Sequence, residues 1–460
     1  MIAPVDPSIP QPATALLRGF RARARHRALL ALRRGATRRG KRAVDIAVAT
    51  ALLIVAAPLL AAAVVAMRLS GRPALAPVMR RGRFCRPFSE QRFAVDGPAG
   101  RCLARLGLTR WPALVNVLRG DLSLVGPRPV APDDLSPRDP RVRARYDVRP
   151  GLVCLWWVRR RMNIAYGSET EADVEYVATR SVHGDLGIAA RALLAAAYGA
   201  GGAAAGPAGA RLRLLGLELD NVTMDAAVAR IAAWCDGGPT RSVSFVNPHC
   251  ANLAQGDHDY RRALRASDLC LPDGIGIKVA GQLLGQPLRQ NVNGTDLFPR
   301  LCAQLAATGD SLYLLGGRPG IAEGVADWVR QHAPGTCIAG VRHGYFTAAE
   351  EPEVLRDICQ SGARVLLVAF GVPRQDVWIQ QHAAETGVAV AIGVGGLFDF
   401  YSGRIPRAPQ WLREVGLEWL YRFIQEPRRM WRRYFVGNFT FLARVVRQRY
   451  AGTEHPKETP

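Results

Sequence analysis

The sequence predicts an α/β chain with a doubly wound parallel sheet and a helical C-terminal appendage, preceded by a mainly helical, monotopic membrane domain. Three observations carry this expectation. Beyond residue 210, short apolar runs alternate with helical patterns, the order expected of a parallel sheet. Several of those runs end in glycine-bearing loops, and open α/β sheets bind ligands at the carboxyl ends of their strands. Near the N-terminus a 25-residue apolar run, Ala43 to Met67, lies between arginine-rich flanks.

Taken in order, residues 1–42 open on a proline-rich tail and then carry eleven Lys or Arg against one acid, Asp6, with a helix expected from about Ala13. The apolar run at 43–67 exceeds the roughly 20 residues that cross a bilayer, and it is interrupted by Asp45 and Pro58. Arg68, Arg72, Arg80, Arg81, Arg83 and Arg86 follow it as densely as basic residues precede it, so both flanks prefer the cytoplasmic side. A helix broken at Pro58 that enters one leaflet and returns satisfies both flanks. Residues 68–198 form the next expected domain. The stretch 199–210, nearly all Ala, Gly and Pro, reads as a flexible linker. Strands are expected near Leu214 to Leu219, Val243 to Val246, Leu269 to Leu271, Leu312 to Leu315, Cys337 to Val341, Val365 to Ala369 and Val388 to Ile392, within a domain at 211–404. A basic aromatic appendage at 405–450 and a disordered tail at 451–460 complete the chain.

Composition narrows the partners. At 460 residues with 49% hydrophobic content, disorder is not the default. The net charge of +23 requires an anionic partner: nucleic acid, a membrane surface or phosphate-bearing substrates. No recognisable nucleic-acid motif is present, and the arginines cluster beside the apolar run and among the aromatics of the tail. The nine cysteines are scattered without CxxC spacing, which argues against a disulfide framework or a zinc site.

The central candidate is LPDGIGI, Leu271 to Ile277. Asp273 follows a short apolar strand, Gly274 and Gly276 permit a tight turn and close ligand approach, and a helix is expected from Ile275. A carboxylate at that place suits a catalytic base, although an aspartate there also serves as a helix N-cap. Gly316 with Gly317, Gly371, and Gly395 with Gly396 mark further loops whose glycines let backbone amides approach a phosphate, although an ordinary strand-to-helix turn uses glycine in the same way. Asp257, His258 and Asp259 spell DxD, but they lead straight into a helical pattern that acids cap.

Two resemblances sharpen these readings. KRAVDI at Lys41 to Ile46, RRGRFCRPF at Arg80 to Phe88, WPALVNVLRGDLSLVGPRP at Trp111 to Pro129 and VRPGLVCLW at Val148 to Trp156 resemble the bacterial sugar transferases, the polyprenyl-phosphate hexose-1-phosphate transferases. That family reads LDELP where this chain has Leu108, Thr109, Arg110, Trp111 and Pro112. Its aspartate nucleophile and its magnesium-assisting glutamate are therefore replaced by threonine and arginine. The expectation is a degenerate domain that anchors and presents lipid-linked substrate, with a bifunctional enzyme as the alternative; Asp121, Asp147 and Glu90 are the carboxylates that could compensate.

From Leu214 to Tyr450 the chain resembles the WecG/TagA/CpsF glycosyltransferases, family 26. The matching stretches are FVNPHCANL at Phe245, ASDLCLPDGIGI at Ala266, NGTDL at Asn293, LLGG at Leu314, HGYF at His343, AFGVPRQDVW at Ala369, GVGGLFDFYSG at Gly393 and RAPQWLREVGLEWLYRFIQEPRRMWRRY at Arg407. The resemblance implies a Rossmann-like fold and metal-independent, inverting transfer of a sugar from a nucleotide donor, commonly UDP-linked, to a polyisoprenyl-diphosphate-linked saccharide. The cytoplasmic leaflet of a bacterial inner membrane is the implied setting. Asp273 is then the base, Gln375 belongs to the catalytic set, and Arg407, Arg422, Arg429 and Arg432 help bind the diphosphate. Asn247, His249, Asn293 and Asp296 are candidates for sugar or nucleotide contacts, against helix-capping or packing roles. Phe245 stands where the family often has threonine, and Asp376 where it commonly has glutamate. No cofactor is expected, and self-association into a homo-oligomer stays open.

Overall fold

A computed structural model describes residues 12–105, 107–133, 140–162, 167–198 and 209–451, with the side chains of 12–38, 105, 140, 141 and 429 outside the described set. The expected linker, apart from residues 209 and 210, and the tail beyond 451 also lie outside it. The chain divides into two compact units, Met1–Val158 with Tyr166–Ala196, and Arg159–Ala165 with Ala197–Pro460.

In the first unit a single helix covers Pro12–Leu69, with Pro58 in its interior. Its stretch Arg39–Leu69 is long and apolar enough to cross a membrane. Ile54 and Val55 on it are 68% and 81% exposed, as a lipid-facing surface would be. Asp45, the acid in the apolar run, is buried rather than displayed. It accepts hydrogen bonds from the Ser123 hydroxyl at 2.7 Å and the Leu124 amide at 3.2 Å, which ties the helix to the segment that follows Arg119. Strand β1 (Val78–Arg81) pairs antiparallel with β2 (Pro87–Glu90), and β3 (Ser123–Val125) pairs parallel with β4 (Gly151–Val153). Helices Glu169–Thr179 and Val182–Tyr198 follow, the first opened by a capping box between Ser168 and Glu171.

The second unit opens on a hairpin, β5 (Arg211–Leu214) and β6 (Leu217–Asp220), where the sequence suggested one strand from Leu214 to Leu219. The chain reverses because Leu215 and Gly216 both take positive φ, 49° and 78°, the geometry of a two-residue hairpin turn. The main sheet has six parallel strands: β7 (Arg241–Val246), β8 (Leu269–Pro272), β9 (Ser311–Gly316), β10 (Cys337–Arg342), β11 (Val365–Ala369) and β12 (Val390–Gly393). They lie in the order β10-β9-β11-β12-β7-β8. Strands β8 and β11 are buried at every position, as expected where helices cover both faces. One face packs Val243, Leu269, Leu314, Leu367 and Ile392 against helices Gly294–Thr308 and Ile321–His332. The other buries Tyr313, Leu366 and Ala391 under Trp378 and Ile379. The chain leaves β8 at one edge and re-enters at β9 across the sheet, which opens a crevice at the carboxyl ends of the strands.

Helix Gly437–Ala451 of the appendage is built into this unit. Phe441 and Val445 are buried with Leu212, Leu214, Leu217 and Leu219 of the hairpin.

Candidate active site

The crevice is a cavity of about 600 Å³ whose walls come from the ends of β7, β8, β9, β11 and β12 and from the appendage. Asp273, the first residue after β8, lines it. The Asp273 amide donates to the Val246 carbonyl at 2.9 Å, so the carboxylate is held beside the end of β7. Gly274 follows with φ 91°, a conformation that L side chains rarely adopt, and starts helix Ile275–Leu283. Gly276 has a different reason from the ligand approach the sequence suggested. A Cβ there would lie 2.4 Å from Cγ of Pro248, so its bare backbone lets two helix starts touch. Gly276→Ala is accordingly expected to cost about 1–3 kcal/mol through overpacking; an unfolding midpoint equal to wild type would show that Pro248 yields freely.

Asn247 serves two functions at once. Its side-chain oxygen caps helix Pro248–Leu253, accepting from the His249 and Cys250 amides at 3.0 and 3.1 Å, while the same side chain favours the charged form of Asp273. Burial, and next the Glu418 carboxylate, push the Asp273 carboxyl up to about 6, against the pull of Asn247 and Arg433 in the other direction. A carboxylate of that basicity is ionised at neutral pH yet a better proton acceptor than a solvated aspartate. His249 also lines the cavity, and burial followed by the nearby Arg433 lowers its pKa, which leaves the imidazole neutral at pH 7.

Gln375, 3% exposed, touches the cavity from the start of helix Arg374–His382. Its side-chain oxygen accepts from the Gly395 amide at 2.9 Å and thereby fixes the glycine loop after β12. Asp376 beside it is turned inward, accepting from the Ser244 hydroxyl at 2.8 Å, and burial raises its carboxyl to about 6. Gly317 and Gly371 line the cavity; Gly316 does not, and a Cβ on it would meet the Ala369 carbonyl oxygen at 2.7 Å, so it serves the β9–β11 contact.

Other expected residues stand behind the wall rather than in it. Asn293 caps helix Gly294–Thr308 and donates to Asp296 at 2.8 Å, while Gly294 and Thr295 next to it face the cavity. Asp296 pairs with Arg407 at 2.5 Å and with Arg413 at 3.4 Å, and Arg407 also reaches Glu418 at 3.4 Å. This network joins the appendage to the helix start beside the site. Arg422 lines the cavity, seated over Phe400 at 5.2 Å; Arg432 is exposed and does not line it. The Arg429 side chain lies outside the described residues.

The sequence singled out too few cations. Arg318, Arg374, Arg404 and Arg433 also line the cavity, and the signal was available for two of them. Arg318 directly follows the Gly316–Gly317 pair, and Arg374 sits inside the GVPRQ loop. With Arg422 they outnumber the lining acids, Asp273 and Asp399, so the cavity suits a strongly anionic ligand. The DxD stretch lies elsewhere: Asp257 caps its helix at the Tyr260 amide, and Asp259 pairs with Arg262 at the surface.

In the first unit, Arg110 occupies the position of the absent glutamate and ion-pairs at 2.8 Å with Glu90, which is fully buried and also meets Arg92 at 2.8 Å and Arg80 at 3.5 Å. Burial alone would raise the Glu90 carboxyl, but Arg110 and Arg92 hold it below its ordinary value. Asp121 accepts from Asn116 at 3.0 Å.

Two families of known proteins match this chain. The model of the bacterial sugar transferase family matches residues 96–198. That of the glycosyl transferase WecG/TagA/CpsF family matches residues 212–455. Among similar proteins, an N-acetylglucosaminyldiphosphoundecaprenol N-acetyl-beta-D-mannosaminyltransferase of Bacillus subtilis (strain 168) is 34% identical over 191 residues, 42% of this chain and 73% of that protein. A protein of the same name from Staphylococcus aureus (strain MW2) is 29% identical over 243 residues, 52% of this chain and 94% of its own length. With more than half of its length matched, from the hairpin to the end of the appendage, the chain belongs to the WecG/TagA/CpsF family and is a glycosyltransferase that also carries a bacterial sugar transferase segment.

Proposed function

We propose that the second unit transfers a sugar, with inversion, from a nucleotide donor, UDP-linked, to a hydroxyl of a polyisoprenyl-diphosphate-linked saccharide, and that Asp273 removes the acceptor proton. The observation that carries this reading is the pairing of a basic carboxylate with a surplus of arginines in one cavity. A sugar hydroxyl is not nucleophilic at neutral pH and needs a base within hydrogen-bond reach. The leaving nucleoside diphosphate gathers negative charge, and arginine donors stabilise it directly. The names of the relatives point to N-acetylmannosamine as the sugar and a diphosphoundecaprenol-linked N-acetylglucosamine as the acceptor. Purified protein assayed with a panel of UDP sugars and short lipid-diphosphate acceptors is expected to turn over with that combination; no transfer from any nucleotide sugar would sink the reading.

The first unit, in this proposal, anchors the enzyme on the cytoplasmic face of the inner membrane through the apolar stretch of its long helix; the structure shows that helix continuous through Pro58, so a re-entrant seat with both ends inside requires it to bend there in the bilayer. Phosphosugar transfer is absent from it, because Thr109 offers no carboxylate and Glu90 is enclosed by three arginines. Magnesium-dependent release of UMP from a UDP sugar, assayed on the Asp273→Asn chain to silence the second unit, is expected to stay at background. Release that saturates with polyprenyl phosphate would establish the bifunctional alternative.

A further inference from the structure

We propose that the first unit holds a phosphate-binding site between Arg42 and Arg149, away from the Thr109–Arg110 position. A cavity of about 510 Å³ opens there, lined by Lys41, Arg42, Arg149, Arg180 and Asp185 among others, and neither Arg110 nor Glu90 belongs to it.

Convergence of cations is the first argument. Gly120 ends helix Leu114–Arg119 with φ 94°, and a Cβ built on it would lie 3.4 Å from an Arg42 nitrogen and 3.9 Å from two Arg149 nitrogens. Both guanidinium groups therefore meet over one glycine. Each is fixed from behind by backbone carbonyls: Arg42 donates to Val117 at 2.6 Å and Leu118 at 2.9 Å, and Arg149 to Gly120 at 2.7 Å. Those carbonyls are the end of a helix and offset the two full charges only in part.

The second argument is an excess of cations over acids. Among the described residues, Arg42, Arg149 and Arg180 form no ion pair. Of the acids that line the cavity, Asp45 is committed to Ser123, Leu124 and Lys41, and Asp185 to Lys41 and Tyr176; with Asp147 they number three against the five cations Lys41, Arg42, Arg83, Arg149 and Arg180. Like charges held side by side with free donors make a planar, multi-dentate receptor for a phosphate group. Arg42 also stands at the foot of the exposed apolar stretch Arg39–Leu69, where a lipid phosphate would present itself. The shared chemistry is a terminal, anionic phosphate group, supplied either by a lipid headgroup or by a free phosphate.

The test uses the full chain in detergent, with UDP present to occupy the second unit, and isothermal titration with inorganic phosphate, short-chain phosphatidic acid and short-chain phosphatidylcholine. Arg149→Gln and Arg180→Ala are each expected to weaken phosphatidic acid binding about tenfold, with phosphatidylcholine silent. Arg180→Ala removes a side chain with no ion pair to lose, so its unfolding midpoint should match wild type. Loss of phosphatidic acid binding alone assigns the site to a lipid phosphate, and parallel loss of inorganic phosphate assigns it to the phosphate group itself. Binding unchanged by both substitutions, or no binding of either phosphate by the wild-type chain, would overturn the proposal.

Discussion

Asp273→Asn is expected to lower transfer by about 10²–10⁴-fold, the range over which a positioned general base acts. Asparagine keeps the shape and can still meet Asn247, so donor affinity measured by titration with UDP should stay near wild type. Only the proton acceptor is lost. The pH profile gives an independent check, because the Asp273 carboxyl is raised to about 6 by burial and by Glu418. As a base it must be deprotonated, so activity is full above that value and lost as pH falls through it, at about tenfold per unit in kcat/KM. A variant that turns over normally, or an acid limb near pH 4, would assign the proton to another group; His249, neutral at pH 7, would be the next to test.

Much of this site could be read from the chain before any coordinates. The six main strands are short, apolar and separated by helical patterns, so their existence and parallel order follow from period and burial. Leu214 to Leu219 was harder, because the turn falls at Leu215 and Gly216 between leucines, with no Asn, Asp or Pro to mark it; the positive φ of both residues shows the reversal. Asp273, Gln375, Asn247 and His249 share one cavity because each sits within three residues of a strand end or a helix start, which sequence spacing can place.

What spacing cannot give is which side chain faces the cavity and which supports it from behind. Arg407 and Arg422 look alike in the sequence, yet one is bound to Asp296 and Glu418 while the other faces the ligand space. The same holds for Arg432 and Arg433, adjacent in the chain and separated by the turn of a helix. Asn247 and Asn293 show that capping and site roles are not exclusive: each caps a helix whose first turn borders the cavity. The basis of that coincidence is topological, since helix N-termini after parallel strands gather where ligands bind.

Arg422→Ala and Arg433→Ala are each expected to reduce kcat/KM about ten- to a hundredfold, the cost of one charge-assisted contact to a diphosphate. Truncation before the appendage is a poorer experiment, because Phe441 and Val445 are part of the core around the hairpin and their loss would expose it. Point substitutions leave that packing alone. The two arginines separate by a second readout. Arg422 lies against the glycine loop after β12, with a Cβ on Gly396 placed 3.3 Å from its guanidinium, so its loss should act through substrate affinity with the pH profile unmoved. Arg433 is one of the groups that pull the Asp273 carboxyl down, so removing it leaves burial and Glu418 less opposed. The acid limb of the Arg433→Ala profile should therefore move to higher pH. Lysine at that position should restore it, because a point charge suffices for the field even where the guanidinium fork is lost. An unshifted limb would confine Arg433 to anion binding and leave Asn247 as the group that keeps Asp273 ionised.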